Sequence, residues 1–104
     1  MITANVFYRK GKIAGFLVEG HSGYAPEGQD IVCAAVSTAV QSCVVGITEV
    51  LKIPVNLKIE EARLEFFLND TNQKTAQEFM KTCELCIKNI SEQYPDYVKF
   101  VERN

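Results

Sequence analysis

The sequence predicts an α+β fold: two helices packed on a mostly antiparallel sheet of four to five strands, in the order ββαββα(β). Three observations predict it. Residues 31–51 are apolar nearly all round a helix, through Ile31, Val32, Val36, Val40, Val44, Val45, Ile47, Val50 and Leu51. Residues 71–93 carry Ala76, Phe79, Met80, Cys83, Cys86, Ile87 and Ile90 on one face, at three- and four-residue spacing. Short runs rich in β-branched and aromatic residues come in pairs before each helix.

Residues 2–9 and 12–20 read as two strands joined at Lys10-Gly11, a tight hairpin turn. Ile2, Val6, Tyr8, Ile13 and Leu17 fall on one face of this pair, and Phe7, Phe16 and Val18 on the other. Residues 20–29 form a loop with three glycines and one proline. Asp30 is the N-cap of the first helix. Residues 55–60 and 63–69 read as a second strand pair ending at Asn69-Asp70. Pro95 ends the second helix, and Tyr97–Val101 forms a short edge strand.

A chain of 104 residues fits one domain, here 1–104. A net charge of −2 predicts no direct nucleic-acid binding. The first residues lack a basic segment followed by an apolar one, and the apolar stretch 31–48 includes Ser37, Thr38, Gln41, Ser42 and Thr48. These features predict a cytoplasmic protein with a buried helix rather than a membrane span, and reduced cysteines. Two nearly all-apolar elements in so small a chain predict a homodimer, with a tightly packed monomer as the alternative.

The chemistry concentrates in Gly20-His21-Ser22-Gly23-Tyr24-Ala25-Pro26-Glu27-Gly28-Gln29-Asp30-Ile31-Val32-Cys33. His21, the only histidine, ends a strand, and Cys33 lies in the first turn of a helix. Unpaired backbone N–H groups and the helix dipole there depress a thiol's pKa and can hold an oxyanion. Asp30 opposes this, because as a cap it occupies one N–H and its charge repels a thiolate. Two readings of each residue stand. Cys33 is a nucleophile or a small buried hydrophobe, and His21 is its base or a strand-end histidine bonded to a loop carbonyl. Ser37, one turn beyond Cys33, faces the imidazole or substrate, or bonds back to the carbonyl four residues earlier. Gly20, Gly23 and Gly28 are lid hinges or turn residues. Tyr24 stacks on substrate or pins the loop.

Cys83-Glu84-Leu85-Cys86 matches C-x-x-C, yet both cysteines fall on the apolar stripe of the second helix, and no second pair or histidine cluster completes a zinc site. No metal or cofactor is expected. Cys43 lies ~15 Å along the helix from Cys33, too far for a disulfide.

The run Gly20–Ala25, with Gly28 and Asp30-Ile31-Val32-Cys33-Ala34-Ala35-Val36-Ser37, closely resembles the bacterial ribosomal-processing cysteine protease family called Prp. Chain length, the hairpin and the order of elements resemble it too. Where the family pattern has alanine after the histidine, this chain has Ser22. The resemblance implies a His21/Cys33 dyad, a homodimer and a mobile substrate loop over Gly20, Ser22, Gly23, Tyr24 and Gly28. It implies a substrate as well: large-subunit ribosomal protein twenty-seven bearing an N-terminal extension, cut after a motif ending in paired aromatic residues. Asp30 and Ser37 are the candidate supporting residues. Two other classes remain open, a non-catalytic ribosome-associated binding module and a thiol-redox protein.

Overall fold

The computed structural model describes residues 1–26 and 28–104; Glu27 of the predicted loop lies outside them. Strands β1 (Ile2–Arg9) and β2 (Lys12–Glu19) precede helix α1 (Ile31–Val45), which runs on as a π-helical turn at Gly46–Val50. Strands β3 (Val55–Glu60) and β4 (Arg63–Leu68), helix α2 (Lys74–Gln93) and strand β5 (Val98–Arg103) follow. The sheet order is β3-β4-β2-β1-β5. β5 pairs parallel to β1, and the other pairs are antiparallel. The two-helix, five-strand α+β architecture is the one the sequence predicts.

Local chemistry explains most boundaries. Lys10 and Gly11 both take positive φ, 52° and 78°, the backbone of a two-residue turn whose twist suits a hairpin. Asp30 is extended and its Oδ1 accepts the Cys33 N–H at 2.8 Å, so α1 begins where a cap predicts. α2 begins at Lys74, not at residue 71, because the Asp70 carboxylate accepts the Asn72 N–H at 2.9 Å and holds that segment in an Asx turn. The last turn before Lys52 is π-helical rather than α-helical, and Lys52 takes φ 58° ahead of Pro54.

The predicted faces of β1 and β2 require correction. Phe7 pairs with Gly15 and Tyr8 with Ile13, which leaves Ala14 as an extra residue in β2. This bulge reverses the alternation. Phe16 and Val18 therefore join Val6 and Ala4, their cross-strand partners, on the core face, and Leu17 turns to the outer face opposite Asn5. Both helices pack on the core face, over Phe16, Phe66, Val6 and Leu68, with Phe16 and Phe66 stacked at 6.2 Å between ring centroids.

α1 and its π-helical turn bury one stripe, Val32, Val36, Val40, Val44 and Ile47, and expose Ile31, Val45 and Val50. Its length and composition would suit a membrane span, yet this stripe is the core of the domain. On α2, Ala76, Met80, Cys83 and Ile87 are buried as expected, whereas Cys86 is exposed. Glu84 is buried beside them. It accepts hydrogen bonds from the Tyr8 hydroxyl and, at 2.7 Å, from Lys81, so its charge is compensated. Burial and the neighbouring carboxylate push the Tyr8 hydroxyl well above its ordinary pKa.

A second core cluster, Ile2, Val32, Val36 and Val98, sits beneath Cys33 and is flanked by Tyr94 and Tyr97. β3 is a sheet edge, and Leu57 and Ile59, paired with Phe66 and Leu64, extend beyond the helices and stay 44% and 61% exposed.

Candidate active site

The end of β2 delivers His21 to the site through Gly20. Gly20 takes φ 97° and donates its N–H to the Ala62 carbonyl at 2.8 Å. A Cβ at this position would lie 2.4 Å from the Met1 carbonyl oxygen, so both the angle and the space demand glycine. His21, the next residue, is exposed. From the other side, the cap at Asp30 sets the first turn of α1, and the cluster under Val32 and Val36 seats Cys33 half-buried.

His21 and Cys33 line one cavity of about 570 Å³, together with Gly23, Gly28, Asp30 and Ser37. A second, smaller cavity of about 170 Å³ opens on the other flank of Cys33, between α1 and the β3–β4 hairpin. Cys33 and Ser37 line both.

Asp30 organises the loop rather than the imidazole. One of its oxygens receives the Ser22 hydroxyl and the other receives the Cys33 N–H. Ser22 is buried, and its Oγ accepts the Tyr24 N–H at 3.1 Å. The Ser22 hydroxyl, then the N–H groups of Cys33, Ala25 and Val32, hold the Asp30 carboxyl below the usual carboxylate range. Among the described residues, Ser22 and Cys33 are the side-chain hydrogen-bond partners of Asp30, the candidate supporting residue.

The acidity expected of Cys33 also needs correction. Burial, and after it the Asp30 charge, push its thiol up rather than down. The N–H groups at the helix start do not offset this, because Asp30 takes those of Val32 and Cys33 and its backbone carbonyl takes that of Ala34 at 3.1 Å. The same engagement removes them as an oxyanion site in this arrangement. The sign of the Asp30 effect yields a direct expectation. Asp30→Asn keeps a capping oxygen but removes the charge, so the Cys33 pKa falls and its iodoacetamide labelling at pH 7 becomes severalfold faster, read by mass mapping. Slower labelling would mean the carboxylate supports the thiolate.

The remaining predicted site residues find definite places. Ser37 lines the cavity with His21 and Cys33, and its Oγ accepts Gln41 Nε2 at 2.7 Å rather than, among the described residues, bonding back to the Cys33 carbonyl. Gly23 and Gly28 take positive φ, 74° and 87°, with open space around them, as turn residues do. Tyr24 pins the loop: its ring meets Tyr97 edge-on at 5.2 Å and Tyr94 at 5.7 Å. These pairs anchor the loop to the end of α2.

All four cysteines are free. Cys43, Cys83 and Cys86 line a separate groove between α1 and α2. Cys86 is exposed there, although it falls on the apolar stripe read from the sequence. Among the described residues, no group of three or more His, Cys, Asp or Glu side chains is placed to hold a metal ion. Sequence reasoning did not identify Ile59, Gln41, Ala62 and Arg63 beside Cys33. The one available signal was an isoleucine in a strand that the topology leaves at an edge.

Known proteins share this fold. The ribosomal processing cysteine protease Prp of Staphylococcus aureus is 26% identical over 102 residues, covering 95% of this chain and 96% of that protein. The crystal structure of S. aureus Prp with a covalently linked product peptide superposes with a TM-score of 0.94 at 24% identity, over 99% of this chain and all of that one (100%). A crystal structure of a Streptococcus mutans protein matches with a TM-score of 0.86 at 28% identity, over 99% and 94% of the two chains. The sequence profile of the family described as cysteine protease Prp spans residues 1–99, and this chain therefore belongs to that family of ribosomal-processing cysteine proteases.

Proposed function

We propose that this chain is a cytoplasmic cysteine endopeptidase, acting as one domain over 1–104, that removes the N-terminal extension of large-subunit ribosomal protein twenty-seven. The observation that carries the reading is the shared cavity: the only histidine and a helix-start cysteine line one concave space in a chain of a cysteine protease family. Cys33 attacks the scissile carbonyl as thiolate, after its proton passes to His21. The imidazolium then gives that proton to the departing amine. Water, deprotonated by neutral His21, hydrolyses the thioester and frees the thiol. The two residues supply the whole proton inventory, so no cofactor is required. The exposed apolar side chains Ile31 and Val45 of α1 and Val50 of the π-helical turn support a homodimer that covers them.

The test is one incubation of the extended ribosomal protein with this chain, read by mass spectrometry. A defined N-terminal fragment is the expected product. An intact protein held in a stable complex would overturn the reading in favour of a binding module. Turnover of a dithiol reporter without peptide cleavage would overturn it in favour of a redox protein.

A further inference from the structure

The C-x-x-C of α2 is not wholly absorbed by the core. Cys86 is exposed and Cys83, one turn earlier, is buried, yet both line the groove between α1 and α2, together with the buried Cys43 of α1. The groove holds about 340 Å³, room for a small solute beside the thiols, because α1 presents only Ala39, Ser42 and Gly46 around Cys43. The two buried thiols reach across the helix interface from opposite sides. Cys83 Sγ lies 3.7 Å from the Ala39 carbonyl oxygen, one turn before Cys43. Cys43 Sγ lies 3.8 Å from Met80 Sδ, one turn before Cys83. Each sulfur therefore sits against the helix that carries the other. The Cys43 thiol, and after it burial, push the Cys83 thiol well above its ordinary pKa, which keeps it protonated and a poor target for an oxidant in solution. Cys86 meets such an oxidant first.

We propose that this groove is an oxidation site for small hydroperoxides, with Cys86 as the entry thiol and a Cys43–Cys83 disulfide between α1 and α2 as the product. Cys86 Sγ attacks the hydroperoxide, the O–O bond breaks, and the sulfur becomes a sulfenic acid as the alcohol, or water from hydrogen peroxide, departs. The Cys83 thiol attacks that sulfur, the S–O bond breaks, and water leaves with the Cys83 proton. Side chains three residues apart on a helix hold their Cβ atoms ~5–6 Å apart, beyond the ~3.5–4.5 Å of a relaxed disulfide, so the Cys83–Cys86 bond is strained. Cys43 then attacks the Cys83 sulfur, and its proton passes to the released Cys86 sulfur. In sum, two thiols are oxidised to one disulfide and one hydroperoxide is reduced to an alcohol and water. Cys33 and His21 take no part, because they line a different cavity.

The test treats the full chain with hydrogen peroxide, blocks remaining thiols with iodoacetamide and maps the cysteines by mass spectrometry without reduction. Cleavage after Glu84 separates Cys83 from Cys86, and fragment ions separate Cys33 from Cys43. The expected product is a Cys43–Cys83 cross-link with Cys86 free to be alkylated. Its melting temperature should rise by at least about 5 °C, because the bond closes a loop of about forty residues, and a dithiol reductant should reverse both changes. Cys86→Ser, a change at an exposed position, should slow formation of the cross-link at least about tenfold. Cys43→Ala should stop the sequence at a Cys83–Cys86 bond; where that variant does not fold, Cys86→Ser decides. Cys33→Ala should form the cross-link at the parent rate, and loss of the cross-link in it would make Cys33 the entry thiol and overturn the proposal. An unchanged rate in Cys86→Ser overturns it too. So does a parent protein whose Cys86 ends as sulfinic acid while Cys43 and Cys83 are still alkylated after unfolding, or one whose only bond joins Cys83 to Cys86.

Discussion

Replacing Cys33 with alanine is expected to abolish peptide cleavage, with a loss of at least about 10³-fold in kcat, while the protein stays folded. Among the described residues that line the cavity, Cys33 is the only thiol. Ser37, the nearest hydroxyl along the helix, has no base hydrogen-bonded to it and is engaged with Gln41. The fold should tolerate the change, since Cys33 is half-buried at the rim of the Ile2–Val98 cluster and alanine removes only a sulfur atom. Cys33→Ser should be almost as inactive, because a hydroxyl is far harder to deprotonate than a thiol. His21→Ala should match Cys33→Ala, and the double variant should be no worse than either single one, as for groups acting as a unit. The measurements are steady-state cleavage of the extended ribosomal protein and thermal melting. A folded Cys33→Ala protein with parent-like turnover would remove the thiol from the mechanism.

Gly20→Ala is expected to damage stability and activity together. The left-handed backbone at φ 97° costs a non-glycine residue roughly 1–3 kcal/mol, and relief of the 2.4 Å approach to Met1 must move the start of β1. Because β1 carries Ile2 into the cluster beneath Cys33, and because His21 follows Gly20 directly, the same displacement misplaces both reacting groups. Denaturant unfolding should show the loss of stability. At temperatures where the variant remains folded, kcat should still be depressed. A destabilised variant with unchanged kcat would show that the site tolerates movement at this hinge.

Much of the fold is written locally. Lys10-Gly11, Asp30 and Pro95 act on their own neighbours, so a turn, a helix start and a helix stop can be read without knowing what surrounds them. The dyad candidates were legible for the same reason, since a strand end and a helix start were each marked by local residues. The faces of the hairpin were not. They hinge on the bulge at Ala14, which only the cross-strand register reveals. Asp70 delaying α2 and Cys86 facing solvent reflect competition between nearly equal local arrangements and the exact phase of the helix. The acidity of Cys33 depended on whether Asp30 or the free N–H groups dominates, which is a question of geometry. Ile59 lies beside the thiol only because the sheet order places the β3–β4 hairpin across from α1.

The parallel pairing of β5 with β1 ties Ile2 to Val98 and Phe7 to Arg103, almost the full length of the sequence apart. During vectorial synthesis β1 therefore waits at the sheet edge for the last strand to emerge, while the hairpin and α1 can already form. The residues that hold the site loop, Tyr94 and Tyr97, belong to that same late segment. A nascent chain thus carries its histidine and cysteine long before it can fasten the loop between them. Competence arrives in a single late step, when the final strand zips onto the first, and partly made chains should lack a properly closed site.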